Sequence, residues 1–230
     1  MSQNLPPAKL IVTPEPSLKI GRLESAKAEI QNAAVKFLWE NPFRDMTVGK
    51  LMKNTTLGRS AFYYHFSDIN ELMATILRSL ETQIMAGASP WLTDDGDPVA
   101  LLHASLAAEV KACFTGGPIL KAVRDAAGTD ARLEAAWNGM MDNFDDAVSE
   151  RIAADQALGL VEDFEPRLVA TALNHADAAL YIRSFGQKPR RQPGAVLDAV
   201  FRVWISTIYG KQWVEHRSST LYRKQGDNSG

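Results

Sequence analysis

Apolar residues recur at three- and four-residue spacing along almost all of this 230-residue chain, and no stretch shows the alternation of a strand. From Leu18 to about Glu40, the positions Ile20, Leu23, Ile30, Ala33, Ala34, Phe37 and Leu38 mark one face of a helix, which Asn41-Pro42 ends. Val48, Leu51 and Met52 share a face of a second, short helix, and the polar run Asn54-Thr55-Thr56 breaks its period. Leu57-Gly58 leads into a third, which opens on Arg59-Ser60-Ala61 and closes on Phe62-Tyr63-Tyr64-His65-Phe66. Leu72, Ile76, Leu80 and Ile84 then recur every four residues, with Met73 and Leu77 beside them, and predict a fourth helix from Ile69 to Met85.

Gly87-Ala88-Ser89-Pro90 and Asp94-Asp95-Gly96-Asp97-Pro98 read as the clearest break in the chain. Five more helices follow, over roughly Val99 to Thr115, Pro118 to Ala127, Asp130 to Ala154, Pro166 to Phe185 and Gly194 to Val214. Gly116-Gly117-Pro118 and the Gly186 to Pro193 loop punctuate them. The pattern predicts an all-α fold of about nine helices. Its divisions are a flexible arm over 1–17, a helix-turn-helix domain of three helices over 18–68, a helical bundle over 69–214 and a frayed tail over 215–230.

The stretch from Thr47 to Leu72 has the shape of a DNA reader. A helix-turn-helix presents the first turn of its second helix to base edges in the major groove, and here that turn carries Arg59 and Ser60. With Thr47-Val48 opening the first helix, Leu51 inside it and the aromatic string Phe62 to Phe66 ahead of Asp68, Glu71 and Leu72, the stretch resembles the tetracycline-repressor (TetR) family of bacterial regulators. That resemblance implies an all-helical, usually dimeric protein whose DNA contacts come from Thr47, Arg59, Ser60, Ala61, Tyr63, Tyr64 and His65. Arg59 is the best base reader, through bidentate bonds to guanine, while Tyr63 and His65 hold the phosphate backbone. Phe62 and Phe66 are four apart and read as core. Three positions depart from the family pattern: Thr56 replaces the turn glycine, Gly58 the hydroxyl N-cap, and Ile69 the lysine that opens the fourth helix. Gly is a weaker N-cap than Ser, and Ile69 removes one phosphate contact.

Charge adds little. The net charge is −2, with ten Lys or Arg against eight Asp or Glu over residues 1–85 and fifteen against nineteen over 86–230. The asymmetry points the right way for DNA at the N-terminal end. A single cysteine, Cys113, cannot form an internal disulfide, no secretory signal is evident, and no run approaches the roughly 18 apolar residues of a spanning helix. The expected compartment is cytoplasmic, with no membrane partner.

Catalytic constellations are missing from the sequence. Gly58-Arg59-Ser60-Ala61-Phe62 begins like a nucleophile elbow but lacks the second glycine, and His65, His103, His175 and His216 have no metal-ligand spacing. No enzyme activity, cofactor or metal is expected. Large apolar groups instead concentrate toward the C-terminus, where Phe114, Trp137, Met140, Met141, Phe144, Tyr181, Phe185 and Trp204 lie on apolar helical faces. By pattern alone they are the core of a bundle. Over Ala170 to Gly210, however, ATALNHADAALYIRSFG and VLDAVFRVWISTIYG resemble the last two helices of the ethionamide-resistance repressor subfamily, which carries a long apolar ligand tunnel.

Carried over, that resemblance implies ligand contacts from Leu102, Leu106, Val110, Phe114, Trp137, Met141, Phe144, Asn174, Asp177, Tyr181 and Trp204. Asn174 matches the subfamily's polar anchor, while Asp177 stands where a second asparagine is expected. An ionised carboxylate only accepts hydrogen bonds and resists burial unless paired, so either the pocket prefers a ligand with a donor or a neighbour such as Arg183 or Arg151 neutralises Asp177. His175, one residue off this face, reads as a surface group.

The expected function is ligand-responsive transcriptional regulation, most simply repression. A homodimer would set two recognition helices roughly 34 to 36 Å apart on a pseudo-palindromic operator of double-stranded DNA, and a small apolar effector would release it. Two readings from other classes stand beside it: a helical interaction protein whose DNA binding has degraded at Thr56, Gly58 and Ile69, and a small-molecule carrier or enzyme using only the pocket.

Overall fold

The computed structural model describes residues 16–94 and 96–210, with side chains from residue 24 onward. Most of the expected arm over 1–17, all of the tail over 215–230 and the side chains of Ile20 and Leu23 lie outside the described residues. Among those described there are eight α-helices and one 3-10 turn, Phe43–Asp45, and no strand.

Helix α1 (Pro16–Glu40) ends where Asn41 folds its amide back onto the carbonyl of Phe37, at 3.2 Å. Thr47 caps α2 (Val48–Met52), its hydroxyl accepting from the Lys50 N–H at 3.2 Å. Gly58 precedes α3 (Arg59–His65) without a side-chain cap. Ile30, Ala34 and Phe37 of α1 close over Leu51, Met52, Phe62 and Phe66, all buried, to make the core of a three-helix head. Phe62 and Phe66 are therefore core, as their spacing predicts.

A capping box starts α4 (Ile69–Thr93): Asp68 accepts from the Glu71 N–H at 2.9 Å, and Glu71 accepts from the Ser67 N–H at 2.6 Å. The helix does not stop at Met85. The buried face Leu77, Leu80, Ile84 continues to Trp91, one heptad beyond Ile84, so Gly87 to Pro90 is helix rather than break. Gly87 is there for a close approach, since a Cβ on it would lie 2.7 Å from the Cβ of Ala108. Pro90 sits in the last turn and forfeits only one intrahelical bond.

The second correction is larger: the two helices expected over 99–127 are one, α5 (Pro98–Ala127), which accounts for eight helices rather than nine. Gly116 and Gly117 admit neighbouring helices instead of ending their own. A Cβ at 116 would lie 2.7 Å from a Leu80 methyl, and one at 117 would lie 2.4 Å from the Phe185 carbonyl oxygen. Pro118 lacks the N–H that would bond to Phe114, four residues back. Arg190 supplies the missing donor, its Nη1 lying 2.9 Å from the Phe114 carbonyl.

Asp130 caps α6 (Ala131–Ala157), Glu165 caps α7 (Pro166–Phe185), and α8 (Pro193–Ile208) closes the bundle. The expected extension of the last helix to Val214 runs outside the described residues. Helix α5 touches α4, α6, α7, α8 and α1. By length and hydropathy it is apolar enough to cross a membrane, although no unbroken apolar run marks it; its place is the centre of the bundle.

Candidate nucleic-acid interface and effector cavity

On α3 the side chains divide as an amphipathic helix requires. Arg59 and Ser60 are exposed, as are Tyr63 and Tyr64 at 60% and 68%, whereas Ala61 and His65 are half-buried. Thr47, Lys50, Lys53 and Arg59 border one open depression between α2 and α3. Lys50 and Lys53 thus stand beside Arg59. The Arg59 guanidinium rests over Gly49, where a Cβ would come within 2.6 Å of Nη2.

The turn itself is held by a residue the motif does not announce. Glu29, on α1, accepts from the Thr56 N–H at 2.5 Å and from its hydroxyl at 2.9 Å. Thr56 needs no left-handed backbone, since no residue other than glycine has a positive φ among the described residues. The turn is instead pinned at Thr56 by a carboxylate one helix away. The only sequence signal is the pairing of an acidic residue on α1 with a hydroxyl where glycine is expected.

The head is tied to the bundle at the start of α4. Arg132 of α6 reaches Asp68 at 2.8 Å, and Asn70 donates to Asp130 at 2.5 Å. These contacts flank Ile69.

In the bundle, a cavity of about 40 Å³ lies among α4 to α8. Of the expected ligand residues, Leu102, Leu106, Phe144, Asn174 and Trp204 border it. Val110, Trp137 and Met141 are buried in the surrounding core, and Phe114 packs edge-on against Phe185 with centroids 5.4 Å apart. Asp177 and Tyr181 lie outside the lining. The cavity is small beside the long tunnel implied by resemblance, and on its wall Trp91 packs edge-on against Trp204 at 5.8 Å.

Sequence reasoning missed the α4 wall, Ile84, Met85, Ala88, Trp91 and Leu92, because much of it falls in the stretch read as a break. It also missed Glu109, although a glutamate seven residues after Leu102 and three after Leu106, on one apolar face, is a visible signal.

The polar groups are placed differently from expectation. Asn174 donates to Asp145 at 2.8 Å, and Asp145, buried on α6, also accepts from Thr171 at 2.5 Å. Neither Arg183 nor Arg151 neutralises Asp177. Arg183 is exposed, and Arg151 pairs with Asp155 at 3.1 Å. Asp177 instead accepts from the Trp204 indole N–H at 2.7 Å. Burial raises the Asp177 pKa to about 7, and the Trp204 bond offsets this only in part. Burial, with the charge of Asp177, pushes Glu109 well above the usual carboxylate range. His175 is exposed, as its position off the face predicts.

A three-helix head with a helix-turn-helix, continued by one long helix into a bundle that encloses a cavity, is the architecture of a helix-turn-helix transcriptional regulator. Residues 102–210 match the family model "Transcriptional regulator EthR, C-terminal domain". Over 182 residues the chain is 22% identical to "HTH-type transcriptional regulator EthR" of Mycobacterium tuberculosis, covering 77% of this chain and 84% of that protein. The protein of the same name from Mycolicibacterium smegmatis is 20% identical over 190 residues, 81% and 88% of the two chains. Among solved structures, regulatory protein TetR from Rhodobacter sphaeroides superposes with a TM-score of 0.65 at 16% identity, over 80% of this chain and 98% of that one. The TetR-family regulator PfmR from Thermus thermophilus gives 0.62 at 17%, over 75% and 97%. Over residues 102–210 the chain is thus similar to the EthR C-terminal domain, and its fold is that of the TetR-family structures.

Proposed function

We propose that this regulator is a cytoplasmic, homodimeric repressor that binds a pseudo-palindromic operator through Arg59, Ser60, Tyr63 and their neighbours on the head, and that a small apolar effector in the bundle cavity releases it. The observation that carries this reading is the double duty of α4. Its start is fixed to the head through the Asp68 capping box, and its second half forms one wall of the cavity. A ligand that enlarges the cavity pushes on a rigid helix whose other end sets the position of α3. The ligand shifts the population off DNA by no more than its preference for the DNA-incompetent form.

The reading as a degraded reader is disfavoured by the Glu29 bonds, which hold the turn despite Thr56. Fluorescence anisotropy with the DNA upstream of its own coding sequence tests the proposal. A preference for one upstream fragment over random DNA, lost on adding a compound that raises the melting temperature, is expected. Equal binding to all fragments overturns it.

A further inference from the structure

We propose that the bundle cavity receives the ammonium end of a lipophilic amine, with Glu109 as its counter-ion. The inference rests on the effector reading and names the chemical class of the effector. Glu109 is the one ionisable side chain among the cavity-lining residues. No Lys, Arg or His pairs with it among the described residues; its polar neighbours are Asp177, Tyr181 and Cys113. The Tyr181 hydroxyl, on a residue 1% exposed, is directed at Glu109 yet completes no hydrogen bond of good geometry. The walls facing this point bring no positive charge. α4 presents apolar side chains, α6 presents Phe144, Ala147 and Val148, and α8 presents Trp204.

Elsewhere in the bundle, buried carboxylates have partners. Asp145 has Thr171 and Asn174, with the Arg167 guanidinium 4.0 Å away. Asp155 has Tyr209 at 2.7 Å and Arg151 at 3.1 Å. Asp177 has the Trp204 N–H and Glu109 has the Tyr181 hydroxyl beside it, and neither has a cationic partner among the described residues. Asp177 is buried and Glu109 half-buried at the cavity, so a shared proton or an added cation stabilises the pair.

The lining selects the kind of cation. Among the described residues no three His, Cys, Asp or Glu side chains are grouped to hold a metal ion. Trp91, Trp204 and Phe144 do line the cavity, and aromatic faces beside a carboxylate suit an ammonium group. At about 40 Å³ the space fits a head group on the order of three water-sized units, so the apolar remainder of the effector enters by parting Trp91 from Trp204.

The test compares three compounds of one shape, 4-phenylbutylamine, 4-phenyl-1-butanol and 4-phenylbutyrate, by calorimetric titration and thermal shift on the full chain. The amine is expected to bind at least tenfold tighter than the alcohol, and the acid more weakly than both. Glu109→Gln should erase the amine's preference while keeping alcohol affinity within about threefold and a cooperative melt. Should Glu109→Gln not fold, Asp177→Asn keeps an acceptor for Trp204 and is expected to reduce the preference. Alcohol and amine binding equally, or a preference unchanged in the folded variant, overturns the amine inference and leaves the effector cavity standing. Binding by none of the three overturns both.

Discussion

Arg59 and Tyr63 lie one turn apart on α3, and their chemistry gives them different roles on DNA. Arg59→Ala should weaken binding to the preferred upstream fragment by about 1 to 3 kcal/mol and relax base preference, because a bidentate contact is lost. Tyr63→Phe removes a donor to phosphate and should weaken all sequences alike. Anisotropy with specific and random DNA separates the two, and equal losses for Arg59→Ala at both would remove its base-reading role. Asp177 makes a prediction about pH. Its pKa in the folded protein is about 7, against an ordinary 3.8, so between those values the native state holds a proton that the unfolded chain has released. This contribution to stability is therefore full below about pH 4 and is lost as pH rises through 7, the raised Glu109 acting in the same direction. Asp177→Asn should flatten that fall in urea denaturation, and an unaltered slope would contradict the assignment. Asn174→Leu is a poor probe of ligand anchoring, since it strips a partner from buried Asp145.

The junctions between elements are where expectation and structure part. Pro118 and the glycines before it read locally as a stop, but the lost backbone donor is replaced from outside the helix. Arg190 bonds the Phe114 carbonyl and stacks its guanidinium on Phe114 at 3.7 Å and on Trp39 of α1 at 4.8 Å. Arg190→Ala should lower stability by about 1 to 2 kcal/mol, leaving that carbonyl without its donor and removing the stacking. Gly117→Ala should be worse, by roughly 2 to 4 kcal/mol, because its methyl meets the backbone of Phe185 rather than a movable side chain. Urea midpoints rank the pair. A neutral Gly117→Ala would show that α5 and α7 can separate at little cost.

For the whole molecule, the dimer is the decisive expectation. Leu168 on α7 and Val203 on α8 point outward, 70% and 48% exposed, and these last two helices should pair with their symmetry mates into a four-helix interface. The protein should be a dimer at micromolar concentration without DNA, and Val203→Glu should shift it toward monomer. Light scattering decides; a monomeric parent protein would leave the spacing of two recognition helices without a cause. Arg190 also bears on this scale, because its stacking on Trp39 joins the α7–α8 loop to the head.

The sequence by itself determined the all-helical class, the helix-turn-helix and the buried positions of Phe62 and Phe66. Those features follow from three- and four-residue periodicity and local capping, which neighbouring residues carry among themselves. It also showed where large apolar groups gather, and five of the eleven expected ligand residues do border the cavity. Only the tertiary structure decided that Gly116-Gly117-Pro118 continues a helix, that Glu29 pins the turn at Thr56, and that Asp177 is held by Trp204 rather than by an arginine. Each of these depends on a side chain or backbone group distant along the chain. Glycine and proline have fixed local preferences, but whether they end a helix depends on what approaches them, and a buried carboxylate takes the partner that packing brings within reach.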